Sequence, residues 1–161
     1  MAVDQGEVAW LHRLADLGLR LPAVAAPVAA YVPATCEGSL IWVSGQLPTS
    51  EGRILTGRLG AGLDLEEGRA AARLCALNAL AAAVAACPDG PGGIGGVVRV
   101  EGYVQCVPDF HEQPKVVNGA SELFGALFPG PGHARLAIGC AALPLDAAVE
   151  VAVIFRRNPP R

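Results

Sequence analysis

The side chains best placed to do chemistry are two charges set in the most apolar part of the chain. The stretch His133 to Phe155, HARLAIGCAALPLDAAVEVAVIF, contains two apolar runs, 134–141 and 148–155, broken by Arg135 and Glu150 respectively. A guanidinium stays charged at any ordinary pH, so placing one among apolar residues demands an anionic partner, either a protein carboxylate or a ligand. If the partner is a ligand, Arg135 can grip a carboxylate in bidentate fashion while Glu150 handles a proton or aims a water. The structural alternative is an ion pair between the two. A buried pair contributes little net stability, so from chemistry alone the two readings stand level.

Other candidates are weaker. Ser44-Gly45-Gln46 has no histidine nearby in sequence that would make a Ser/His pair, and His133 follows a Pro/Gly loop that suits a hinge or surface position. His12 and His111 have no ligand-like company, and the five cysteines show no CxxC or Cys/His metal spacing. They read as reduced core thiols, and neither metal nor cofactor is expected. The glycine-rich GPGGIGG precedes a strand rather than following one, which is the wrong context for a phosphate cradle.

The elements that must position these residues follow from periodicity. Residues 4–17 carry an apolar stripe with Asp4 and Glu7 as capping residues, and 20–34 form an extended lead-in ending at Tyr31-Val32-Pro33. Leu40, Trp42 and Ser44 then share one strand face, with Ile41 and Val43 on the other. Residues 49–62 are loop or minor strand. Asp64 and Glu67 form an N-terminal capping pattern for a helix over 64–87, stopped by Pro88. In VVRVEGYVQC, Arg99, Glu101 and Gln105 alternate with Val98, Val100, Val104 and Cys106. Asp109 can open a second helix that includes 115–127. The two apolar runs, joined by Leu-Pro-Leu-Asp, are expected to form a hairpin in the middle of a sheet covered on both sides. Two helices cover one face, and another copy of the chain is the economical cover for the other.

At 161 residues with 52% apolar composition, the chain is expected to form a single domain, 1–161, without disulfide staples. A net charge of −3 and a single lysine, Lys115, leave no basic stripe for nucleic acid. The acidic N-terminus has no signal pattern and the apolar segment 78–88 is too short to span a bilayer, so a soluble, cytoplasmic protein without a membrane partner is expected.

Several of these pieces, in this order, resemble the Rid family, also called YjgF or endoribonuclease L-PSP. They are Tyr31-Val32, Ile41 and Ser44-Gly45-Gln46-Leu47-Pro48; Asn78-Ala79-Leu80; Asn118 followed by Gly119; and Arg135 through Leu143-Pro144 to Val149-Glu150. The resemblance implies a chorismate-mutase-like α/β fold of the bacillary type, a mixed sheet packed by two main helices, and a barrel-like homotrimer with clefts between subunits. It also implies hydrolysis of reactive 2-imino or enamine acids to 2-oxo acids and ammonia, without a cofactor. In that scheme Arg135 holds the substrate carboxylate, Glu150 positions the attacking water, and Tyr31, Ser44 and Asn118 line the cleft. Many active members have a cysteine where this chain has Ala137, which leaves only the backbone amide there. The N-terminal extension, 1–25, and the GRLGAG insertion point to a divergent subgroup. A protein that binds a small carboxylate or 2-oxo acid without turnover is the alternative, and ribonuclease activity rests on the family label alone.

Overall fold

Asp64 starts the helix on which the rest of the fold is stacked. Its carboxylate accepts from the Glu67 N–H at 2.9 Å while the Glu67 carboxylate accepts from the Asp64 N–H at 2.8 Å. This reciprocal capping box contributes about 1 kcal/mol and sets the first turn of a 22-residue helix, Leu65–Ala86. The computed structural model describes residues 8–24, 26 and 29–159. In chain order the elements are α1 (Ala9–Asp16), β1 (Ala34–Glu37), β2 (Leu40–Gln46), the short strands β3 (Thr49–Ser50), β4 (Arg53–Ile54), β5 (Arg58–Leu59) and β6 (Gly62–Leu63), then α2 (Leu65–Ala86), β7 (Ile94–Gln105), α3 (Gln113–Leu127), β8 (Ala134–Cys140) and β9 (Val149–Arg157).

One five-stranded mixed sheet, in the order β1-β2-β9-β7-β8, carries both main helices on one face. The β7–β8 pair is parallel, with α3 as its crossover, while β9 runs antiparallel to both β2 and β7. Val149, Val151, Val153 and Phe155 point from β9 into the helix side and are buried. α2 is rich in alanine, and this lets backbones approach closely. At the crossing with α3, Gly119 lies so near the Arg69 carbonyl that a Cβ would collide with it. Most of α2 is enclosed between the sheet and α3, which accounts for its apolar composition.

The expected hairpin of 134–141 with 148–155 does not form. β7 lies between β8 and β9, and β8 is an edge strand rather than a central one. Residues 141–148 step past the end of β7 instead of turning back on β8. A short connection favours a hairpin between the two apolar runs, but β8 gains its pairing from the β7–α3–β8 crossover. A second difference concerns Gln105, expected on a polar face, which is 1% exposed. Val98 is exposed instead, next to a register shift between Val97 and Arg99 that breaks the alternation.

α3 begins at Gln113 rather than near Asp109, with Glu112 at its N-cap and Pro114 in its first turn. The short strand β1, absent from the sequence reading, pairs with β2 across a turn at Gly38, whose φ of 58° suits glycine. α1 is shorter than expected, and its proposed caps Asp4 and Glu7 lie outside the described residues. It docks through buried Trp10 and Leu14, each worth roughly 1.5–3 kcal/mol of burial. Arg13 Nε donates to the Leu127 carbonyl at 2.7 Å and so caps the end of α3.

The face of the sheet away from the helices retains apolar side chains at its surface. Trp42 on β2 is 46% exposed and Ile138 on β8 is 41% exposed. The alternation expected for 40–44 is present, with Ile41 and Val43 buried and Trp42 outward.

Candidate functional site

Arg135 and Glu150 face different regions of the molecule. Arg135 is opposite Val100 on β7 and shares its helix-side orientation, while Glu150 is opposite Tyr103 and alternates with the buried Val149 and Val151. The two positions are three residues apart along β7 and two strand spacings apart across the sheet. Their Cα atoms are therefore on the order of 14 Å apart. No ion pair joins them, and among the described residues neither has a salt-bridge partner. The structural ion pair considered from sequence is thereby removed.

Arg135 is anchored by neutral oxygens from α3. Its Nη1 donates to Asn118 Oδ1 at 2.7 Å and to Ser121 Oγ at 3.3 Å. Ser121 Oγ lies 3.0 Å from His133 Nε2. Because a guanidinium can only donate, the serine oxygen accepts from Arg135 and its own hydrogen is free for the histidine. Burial, with Arg135 next in importance, pushes the His133 pKa down, which keeps Nε2 available as an acceptor. The row Arg135–Ser121–His133 thus holds the guanidinium without neutralising it. Ala137 follows two residues along β8, opposite Gly102, on the same side of the strand as Arg135.

Glu150 belongs to a second cluster at the end of β2. A register shift between Val43 and Gln46 spreads β2 at Gly45, and the Glu150 side chain occupies the space a side chain at Gly45 would fill. Burial raises the pKa of the half-buried Glu150 carboxyl. It lines a cavity of about 210 Å³ with Tyr31, Gln46, Leu47, Asn78 and Leu145. Ser44 does not line this cavity. Its Oγ donates to the Val32 carbonyl at 2.8 Å and its N–H to the Pro33 carbonyl at 2.9 Å, which fastens the Tyr31 segment to β2. No group of three His, Cys, Asp or Glu side chains suited to a metal is present among the described residues.

The comparisons with known proteins bear on this arrangement as a whole. Residues 11–156 match the family model described as YjgF/chorismate mutase-like, with a provisional endoribonuclease label. The chain belongs to the YjgF, or Rid, family. A curated relative, protein TCP17 of Trypanosoma cruzi, is 44% identical over 159 residues, covering 97% of this chain and 98% of its own. A solved Agrobacterium tumefaciens structure of unknown function is 42% identical, with a TM-score of 0.85 and 94% of each chain covered. The Escherichia coli YjgF structure is 27% identical, with a TM-score of 0.58, covering 84% of this chain and 94% of that one. The drop in both figures places this chain in a divergent subgroup of the family.

Of the residues singled out from sequence, the fold brings Arg135, Asn118 and Ala137 to one region and Tyr31 and Glu150 to another, with Ser44 supporting the second. Sequence reasoning did not assign site roles to Ser121, Gln46, Asn78 or Gln105. Asn78 carried a signal, since an amide within an alanine-rich apolar helix needs partners. Its Nδ2 donates to the Leu47 and Thr49 carbonyls at 2.9 and 3.0 Å, holding the cavity wall.

Proposed function

We propose that this protein hydrolyses reactive 2-imino acids to 2-oxo acids and ammonia in a cleft shared by two copies of the chain. The observation that carries the reading is the state of Arg135: a partly buried cation fixed by Asn118 and Ser121, with no carboxylate partner among the described residues. Its remaining N–H groups suit a ligand carboxylate. Arg135 and Glu150 lie too far apart within one protomer to act on one small molecule. The exposed Trp42 and Ile138 suit a sheet face covered by further copies, and a barrel-like homotrimer would let Arg135, Asn118 and the Ala137 amide of one subunit face Tyr31 and Glu150 of the next.

The chemistry needs little more than placement. An imine carbon is already electrophilic, so anchoring the acid and aiming one water supplies most of the acceleration. Water adds to the C=N carbon, and the Glu150 carboxylate, made a stronger base by the burial that raises its pKa, takes a proton from that water. It passes this proton to nitrogen to give the carbinolamine, then takes the remaining hydroxyl proton and delivers it to nitrogen as the C–N bond breaks and the C=O bond forms, which leaves the 2-oxo acid and ammonia.

The test is to generate 2-aminoacrylate in situ and follow its loss. Acceleration over buffer that is abolished in Arg135→Ala supports the reading, and full activity in that variant overturns it. Ala137, which lacks a side-chain nucleophile, favours a second reading as a small-carboxylate or 2-oxo acid binding protein. That reading expects ligand-dependent thermal stabilisation, lost with Arg135→Ala, and no hydrolysis. Ribonuclease chemistry fits poorly with a net charge of −3 and a single lysine.

A further inference from the structure

One leucine beside Glu150 sits in a conformation that leucine avoids. Leu145 has φ 56° and ψ 26°, and Asp146 follows with φ 58°. The left-handed region is unfavourable for a residue bearing a γ-branched side chain, and such strain persists only where the surroundings impose it. Core packing is not what imposes it, because Leu145 is 59% exposed.

The constraint comes from Gln105. Its amide, buried at the end of β7, donates from Nε2 to Asp146 Oδ1 at 2.6 Å and to the Gly57 carbonyl at 3.0 Å, while its Oε1 accepts from the Leu143 N–H at 2.8 Å. The Gly57 N–H donates to the Asp146 carbonyl at 3.0 Å and closes the clamp. A fully satisfied buried amide therefore holds the 143–146 turn in a strained shape with a leucine at its tip. That leucine forms one wall of the Glu150 cavity, together with Pro33, Leu47, Ile54 and Pro144. Among the described residues no cation lines this cavity, so a second acidic group on a ligand would meet Glu150 without compensation.

We infer that Leu145 is a specificity-determining residue and that the ligand carries a branched aliphatic side chain, as in branched-chain 2-imino acids, packed against this apolar wall. The inference rests on the deaminase reading of the same cleft and names its substrate class. The reaction is unchanged: water adds across C=N, ammonia leaves, and nothing is oxidised or reduced. Gln105 acts as a positioning residue for the wall.

The experiment measures calorimetric binding of three stable product acids to the full chain: 4-methyl-2-oxopentanoate, pyruvate and 2-oxoglutarate. The expected order is tightest for 4-methyl-2-oxopentanoate, about tenfold or more over pyruvate, with 2-oxoglutarate weakest. Leu145→Gly should narrow the first ratio several-fold while the melting temperature holds or rises, because glycine takes this conformation without strain. Equal binding of the three acids, or a ratio unchanged in Leu145→Gly, overturns the inference and leaves the deaminase reading standing. No binding of any of the acids, together with no hydrolysis of 2-aminoacrylate, overturns both.

Discussion

Gly45→Ala should separate activity from stability. The new Cβ would fall on the Glu150 side chain, within 2.8 Å of its Cδ and 3.1 Å of its Cγ. The obstructing atoms are the far end of a flexible side chain, so the carboxylate moves and the backbone stays. Gly45 is not among the glycines with positive φ, so alanine meets no conformational penalty there and gains about 0.4–1 kcal/mol from the unfolded chain. Displacing a half-buried carboxylate toward solvent also relieves its desolvation. The net change in stability should lie within about 1 kcal/mol of zero, or roughly 2–4 °C in melting temperature. Catalysis should suffer far more, since misplacing a catalytic group by about 1 Å can cost on the order of 100-fold. Paired measurements of thermal unfolding and of 2-aminoacrylate loss give the answer. Wild-type rates in a folded Gly45→Ala protein would refute the placement of Glu150 at the reacting centre.

Other perturbations probe the remaining parts. Glu150→Gln should stabilise the fold at neutral pH while abolishing hydrolysis. The raised pKa means that ionising Glu150 costs more in the folded than in the unfolded state, so its penalty is present above the folded pKa and vanishes as pH falls below the ordinary glutamate value. Melting curves of the two proteins should therefore converge at acidic pH; a constant offset would contradict the linkage. Gly119→Ala drives a Cβ into the Arg69 backbone, which cannot yield as a side chain can, and should cost about 1–3 kcal/mol by denaturant unfolding. Arg135→Lys keeps the charge but cannot both hold Asn118 and grip a carboxylate in a fork. It should weaken 2-oxo acid binding by about 1.5–3 kcal/mol, or roughly 10- to 150-fold by calorimetry.

Much of this molecule was legible in its sequence because local rules govern it. The capping box at Asp64 and Glu67, the alternation of Ile41 and Val43 with Trp42, and the ends of α2 depend on residues within a few positions of one another. The order of the motifs from Tyr31 to Glu150 was likewise enough to identify the family. Which strands lie side by side is a different kind of information. β8 and β9 are joined by a short connection and look like a hairpin, but β7 enters between them because α3 returns the chain in parallel beside it. The same tertiary arrangement separates Arg135 from Glu150 and brings Asn118 and Ser121 of α3 to the arginine. It also turns Gln105 from an apparent surface residue into the buried clamp of a strained loop. Spacing along the chain singled out Arg135 and Glu150 as charges set in apolar runs; tertiary structure decided that they belong to different clusters, because contacts across a sheet depend on strand order and not on sequence separation.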